Sequence, residues 1–335
     1  MNASNNSLAV LIAAGALMLA LSMSEMVAEP AEPGLRLESK IPLGDVRGRI
    51  DHMAIDPKRH RVFVAELGND TVGVVGLDEG KVLNVITGFN EPQGVGYVPS
   101  SDELYVSSGG DGSVKAFNAD SFEPTGQIDL GQDADNIRVD AATNQVFVGY
   151  GHGGLAVIDP ATHRKIGDIA LKGHPEGFQL VRSSAHIFVN TPRAAEIAVI
   201  DRVSKRTLSW SLRYGGNFPM AIDEESGHVV VAFRTPPAIG VFSAQDGANL
   251  NTVESCGDAD DLFIDSKRHQ AYLSCGSGFL DVFDTQGASY RRVAHIVTAS
   301  GARTSLFVPE LDRFLLAVRA SAGEPAAVWI FRPVP

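Results

Sequence analysis

The residues able to do chemistry in this chain fall in one recurring register. Arg49, Asp51 and His52 open it. Glu91 and Gln93 follow, then Asp133, Asp135 and Asn136, then His174 and Glu176, then Asn217 and Phe218. Asp258, Asp260 and Asp261 come next, and Arg303 with Thr304 closes the series. Successive groups stand about 42 residues apart. Carboxylates recurring in this way, with His and Asn among them, suit a divalent cation, because oxygen ligands take hard cations and imidazole takes borderline ones. Asp135, Asp260, Asp261 and His52 are the metal-ligand candidates, and one divalent ion is the cofactor they would hold. The same groups held close would raise one another's proton affinity and provide an acid or base. His52, Glu176 and Asp260 are the candidates for that catalytic role. Arg49, Asp51, Asn136, His174 and Arg303 form a ligand-binding set with His152, Arg193 and Arg234 from neighbouring loops, and its arginines suit a substrate carboxylate. The plain alternative is an opening lined by solvated polar side chains.

No other motif offers a chemistry. The chain has no HExxH, GxSxG, CxxC or CxxCH signature and no P-loop. GYGHGG (149–154) lies between strand-like runs rather than before a helix, so it is no nucleotide loop.

What positions this register is a repeat. The segment 174–216 holds four short apolar runs, at Gly177–Val181, His186–Asn190, Ile197–Ile200 and Thr207–Leu212, with turn residues between them. The centre of the second run recurs as Phe63, Tyr105, Phe147, Phe188, Val230, Tyr272 and Phe314, in steps of 41 or 42 residues. A third run often ends in Asp, as in VVGLD, LAVID, IAVID and LDVFD, where Asp suits the first position of a turn. Four strands at this period predict a β-propeller, and seven anchors predict seven blades. The last repeat, 301–335, has only three strand-like runs, and LRLESKIPL (35–43) reads as the missing fourth. The expected fold is therefore all-β: a seven-bladed β-propeller of four-stranded blades, closed by the N-terminal strand completing the last blade. In such a ring the residues entering each innermost strand line the mouth of the central channel, so the polar register is expected to form an acidic mouth.

FVNT (188–191), VIDP (157–160) and VIDR (199–202) resemble the repeat words of the YVTN family of seven-bladed propellers, with its YncE-type members. The resemblance runs over nearly the whole chain after residue 34. It implies the propeller fold and a binding or scaffold role. Some YncE-type proteins are linked to single-stranded DNA, but a formal charge of −12 lacks the cationic footprint for nucleic acid. By analogy of fold, an alternative is a metal- or His/Asp-dependent hydrolase or lyase, lactonase-like, acting on a carboxylate-bearing substrate. An accessory subunit of a quinone-cofactor dehydrogenase is a further alternative.

The first 28 residues are expected to be a signal peptide, since the apolar run Leu8–Met23 has the length of an h-region rather than of a membrane span. Residues 29–34, EPAEPG, read as a spacer, and 35–335 as a single propeller domain. Cys256 and Cys275 are the only cysteines, and in an exported chain they are expected to form a disulfide. The reading is thus a periplasmic or secreted monomer that presents its channel mouth to a small molecule or a periplasmic protein.

Overall fold

The seven repeat anchors lie in the interior. Phe63, Tyr105, Val230, Tyr272 and Phe314 are fully buried, as are nearly all of Phe147 and Phe188. The computed structural model describes Met1 and residues 34–334. The expected signal peptide (1–28) and the spacer up to residue 33 lie outside the described residues, apart from Met1. Residues 34–334 fall within one compact unit.

The described chain forms seven antiparallel sheets of four strands. Six of them follow the chain in simple order, spanning 53–87, 92–129, 134–170, 178–211, 215–254 and 259–297. The segment 174–216 forms strands at Phe178–Leu180, His186–Thr191, Glu196–Asp201 and Arg206–Ser211, close to the four expected runs. Each anchor stands at the centre of its blade's second strand and faces a residue of the innermost strand, such as Ala54 opposite Phe63. The apolar clusters bridge neighbouring blades: Phe63, Val72 and Val74 of blade one pack with Val95, Leu104 and Phe117 of blade two. Burial of one blade's face therefore requires the next blade.

The seventh sheet closes the ring. Its order runs from Ser305–Val308 through Arg313–Val318 and Ala327–Val334 to the N-terminal strand Gly34–Pro42. Gly34 pairs with Val334 and Pro42 with Ala327, and the register shifts once between Leu37 and Ser39. Glu38 sits at that irregularity and holds Arg313 at 2.9 Å and Arg332 at 2.5 Å. Leu35, Ile41 and Leu43 are buried against the last blade and its neighbours.

At the opposite end from the polar register, Asp residues ending the innermost strands cap the following turns. Asp56 accepts from the Lys58 and Arg59 amides, and Asp265 from those of Lys267 and Arg268. Arginines from the same turns clamp adjacent blades, Arg59 to Asp102 at 2.6 Å and Arg268 to Asp312 at 2.7 Å.

Cys256 and Cys275 form the expected disulfide, with Cα atoms 5.9 Å apart. It ties the segment leaving blade five to the second strand of blade six. The Cys256 amide donates to Asp281 Oδ2 at 2.7 Å, and this fully buried carboxylate is also held by His295 and Arg292.

A Cys256→Ala/Cys275→Ala chain is expected to lose about 3 kcal/mol of unfolding free energy, the scale for a loop of this length; guanidinium titration of oxidised wild type and variant checks this. A chain starting at residue 44 leaves Ala327–Val334 as an open edge. It is expected to self-associate, and a monodisperse monomer in light scattering would contradict the role given to the N-terminal strand.

Candidate functional site

The entering segments of the innermost strands are irregular in a way that builds the site. The pairing of first and second strands shifts register between Pro92 and Val95, Ala134 and Ile137, Asn217 and Met220, and Ala259 and Asp261. Such a bulge breaks the alternation of side chains and re-aims them. Asp135 and Asn136 are consequently both buried, and both Asp260 and Asp261 line the same throat. Bonds from blade to blade hold this level in place. The His52 amide donates to the Gln93 carbonyl at 3.2 Å, Gly177 to Phe218 at 2.9 Å, and Ser305 to Asp261 Oδ2 at 2.7 Å.

The side chains converge as an ion-pair network. His52 stands between Asp261, 3.5 Å from its Nδ1, and Asp51, 3.7 Å from its Nε2. His174 donates from Nδ1 to the Gly151 carbonyl at 2.6 Å and sets Nε2 3.6 Å from Asp135. Arg49 pairs with Asp51 at 2.7 Å. Asp260 is clamped by Arg234 at 2.5 Å and Arg303 at 2.9 Å, and both arginines also reach Asp258. The Arg234 guanidinium lies 3.6 Å above the centre of the Phe218 ring.

Burial and charge together set the protonation states. Burial disfavours charge on His52, but Asp261, with Asp51 and Asp135, outweighs it and lifts the imidazole to about 10. His174 rises to about 9: burial opposes its charge, and Asp135 and the Gly151 carbonyl overcome that. Both are imidazolium at neutral pH. Burial lifts Glu176 to about 8, helped by the nearby Asp135 charge, so this carboxyl is mostly protonated. Burial also raises Asp51, to about 6. Asp135 is held below the ordinary carboxylate range because its His174 hydrogen bond and the nearby charges outweigh its burial.

Arg49, Asp51, His52, Asp135, Asn136, Glu176, Asp260 and Asp261 line one throat, as expected of them. His174, Arg234 and Arg303 pack around it through their ion pairs. Two expected ligand-binding residues stand elsewhere. His152 is exposed in a separate cleft with Tyr150 and Asp168, and Arg193 is exposed on the 3-10 turn Pro192–Ala194. Arg234 and Arg303 do not face the acids across the opening but grip them. The opening is therefore a compensated network rather than an acidic surface. The space open to the centres of water molecules in the throat is only about 30 Å³, enough for a few waters. Among the described residues no group of three or more His, Cys, Asp or Glu is arranged to hold a metal ion. Of the expected ligands Asp135, Asp260, Asp261 and His52, each is engaged with a side chain of opposite charge.

The throat also contains residues the register did not flag, namely Arg138, Gln179 and Phe263. They lie opposite the anchors Phe147, Phe188 and Tyr272, where blades one, two and five carry Ala54, Gly96 and Ala221. Two long polar side chains, Arg138 and Gln179, in a register that is otherwise small or apolar were the signal available. Arg138 donates to its own Ile137 carbonyl at 2.8 Å, and burial lowers its proton affinity.

The WD40 repeats of RRP9, a solved structure, share this fold: TM-score 0.76 and 11% identity over 90% of this chain and 100% of that one. No family model matches the chain, and neither does any curated sequence. The likeness carries the propeller architecture and nothing finer.

The two histidines bind protons more tightly folded than unfolded. Their contribution to stability is complete below the ordinary imidazole value of about 6.5 and is lost as pH rises toward the folded values. Thermal unfolding midpoints are expected to fall between about pH 6.5 and 10, and His52→Gln is expected to flatten that fall.

Proposed function

We propose that this chain is an exported propeller that binds a small ligand or a periplasmic partner protein at its channel face. It holds the bound molecule rather than transforming it. The observation that carries the reading is the narrow throat, ringed by side chains from blades one, three, four, five and six whose charges are largely matched within the protein. A catalytic centre needs space for a reacting group beside its acid or base. Here that space admits only water, while the rim offers rigid, oriented donors and acceptors. A propeller scaffold suits this role, since loops on a stiff frame present such groups at fixed spacing. Export is supported by the disulfide, which persists in oxidising compartments, and by the apolar stretch at residues 8–23. Among the described residues no helix is long and apolar enough to cross a membrane.

One observation favours a second reading, a hydrolase or lyase. Glu176, lifted to about 8, is a carboxylic acid able to donate a proton near neutral pH.

Hydrogen exchange of the full chain against a panel of small anionic, cationic and neutral compounds separates the two. A binder is expected to protect amides at 49–52, 134–138, 175–179, 217–220 and 258–263 while the compound is recovered unchanged. Conversion of a lactone or uronate in the panel, abolished by Glu176→Gln, would establish the enzyme reading instead. Protection confined to other surfaces would remove the channel face from consideration.

A further inference from the structure

At the end of the ring away from the polar register, the junction of blades three and four is built differently from its counterparts. Blades one and six carry DPKRH (56–60) and DSKRH (265–269) after their innermost strands. The arginine of each turn reaches an aspartate of the next blade, Arg59 to Asp102 and Arg268 to Asp312. Blade three carries DAATN (140–144) there, so Thr143 stands in the place of the arginine. Asp102 and Asp312 immediately precede the second strands Glu103–Ser108 and Arg313–Val318, whereas Ala185 precedes the corresponding strand His186–Thr191 of blade four. Neither residue of the clamp is present at this junction. A cleft of about 550 Å³ opens instead, walled by residues 138–142 of blade three, 179–182 of blade four and Arg202 from the turn after Glu196–Asp201. That volume falls within the range of small-molecule sites, about 300–1,000 Å³.

Three arginines and one carboxylate line the cleft: Arg138, Arg182, Arg202 and Asp140. Arg202 is engaged, its Nη1 pairing with Asp140 at 2.5 Å and its Nε donating to the Ala185 carbonyl at 3.2 Å. Asp140 also accepts from the Ala142 amide and the Thr143 hydroxyl, so its oxygens are occupied. Arg138 is half-buried and donates only from Nη1, to Asn136 Oδ1 at 3.3 Å and to the Ile137 carbonyl at 2.8 Å. Both acceptors are neutral, and its Nε and Nη2 donate to no described residue. It also borders the throat, but Asp135 and Asp261 there are matched by His174 and His52. Arg182 is exposed, and only its backbone amide is bonded, to Glu224 at 2.9 Å. Glu224 lines the neighbouring cleft and divides its oxygens between the Arg182 and Ser183 amides. With Glu224 counted beside Asp140, three arginines still outnumber two carboxylates, in a chain of formal charge −12.

We propose that this cleft is a second binding site, for a small organic anion whose acid group is received by Arg138 and Arg182. Guanidinium N–H donors match the oxygens of a carboxylate or of a phosphate ester. The half-buried Arg138 holds the acid group at the inner wall, and the exposed Arg182 meets it from the rim. Val139, Leu180 and Val181 offer apolar contact to the rest of the molecule. A bound oxyanion supplies the counter-charge that Arg138, partly withdrawn from water, lacks within the protein. The site is separate from the channel face and does not depend on the reading given to that face.

Calorimetric titration of the full chain at fixed ionic strength tests it, using benzoate, phenyl phosphate and the neutral analogue benzamide. At least one anion is expected to bind saturably and roughly tenfold or more tighter than benzamide, and the tighter of the two identifies the acid group. Arg138→Gln and Arg182→Gln are each expected to weaken that binding by about tenfold. Arg182→Gln is expected to leave the melting temperature unchanged, because its side chain is exposed. The pair Thr143→Arg/Ala185→Asp supplies the clamp of the other junctions and is expected to abolish binding. Hydrogen exchange with the anion bound is expected to show protection at 138–142 and 179–184. No binding of either anion, equally tight binding of benzamide, or an unchanged affinity in Arg182→Gln would each overturn the proposal. Protection confined to 49–52 and 258–263 would overturn it as well, and would assign the anion to the channel face instead.

Discussion

Everything in this molecule depends on the fact that no blade can bury itself. A twisted four-stranded sheet has two faces, and the apolar clusters here lie between blades rather than within them. The arrangement can end only by closing on itself, and the pairing of Gly34–Pro42 with Ala327–Val334 accomplishes this. Its interface is mixed. Leu35 and Ile41 contribute buried apolar surface, while Glu38 at the register shift holds two arginines of the final blade. The closure gives each innermost strand a fixed angular position, and the polar residues at their ends converge because of it.

The channel face answers a second constraint, that of placing many ionisable groups in a confined space. Charges taken from water need partners. Here the requirement is met by cross-blade pairs: His52 with Asp261, His174 with Asp135, Arg234 and Arg303 with Asp260. Glu176 meets it differently, by keeping its proton. The disulfide and Asp281 brace the segment that leads into Asp258–Asp261, so the most densely charged stretch is also anchored covalently. A rim stiffened in this way suits selective binding, because little freedom remains to be lost when a ligand arrives.

The fold was legible because its cause is periodic. Seven aromatic or branched anchors at 41- or 42-residue steps reflect seven identical burial problems, and the three-strand final repeat signalled its missing partner. The cysteine pair was legible because an exported chain with only two cysteines is expected to pair them, and the structure brings Cys256, leaving blade five, to Cys275 at the end of blade six's second strand. The polar register identified most of the throat, from Arg49 to Asp261. His152 and Arg193, named from neighbouring loops rather than from the register, stand away from the throat, because loop residues between strands do not share the fixed direction of residues entering a strand. The register passed over Arg138, which lies within a strand rather than at its entry.

The sequence by itself determined the architecture, the closing strand, the disulfide and the polar level of the channel, since each follows from spacing and residue type along one chain. Only the tertiary structure decided how those polar groups are used. An aspartate met in sequence is simply negative. Whether it forms an acidic opening, a metal ligand or half of an ion pair depends on which side chains the other blades bring within about 4 Å, the reach of an ion pair. The bulges that turn Asp260 and Asp261 into the same throat, and the arginines that meet Asp260 there, arise from contacts between distant parts of the chain. Linear spacing carries no record of those contacts, so it could not show that the carboxylates of the throat stand in cross-blade ion pairs.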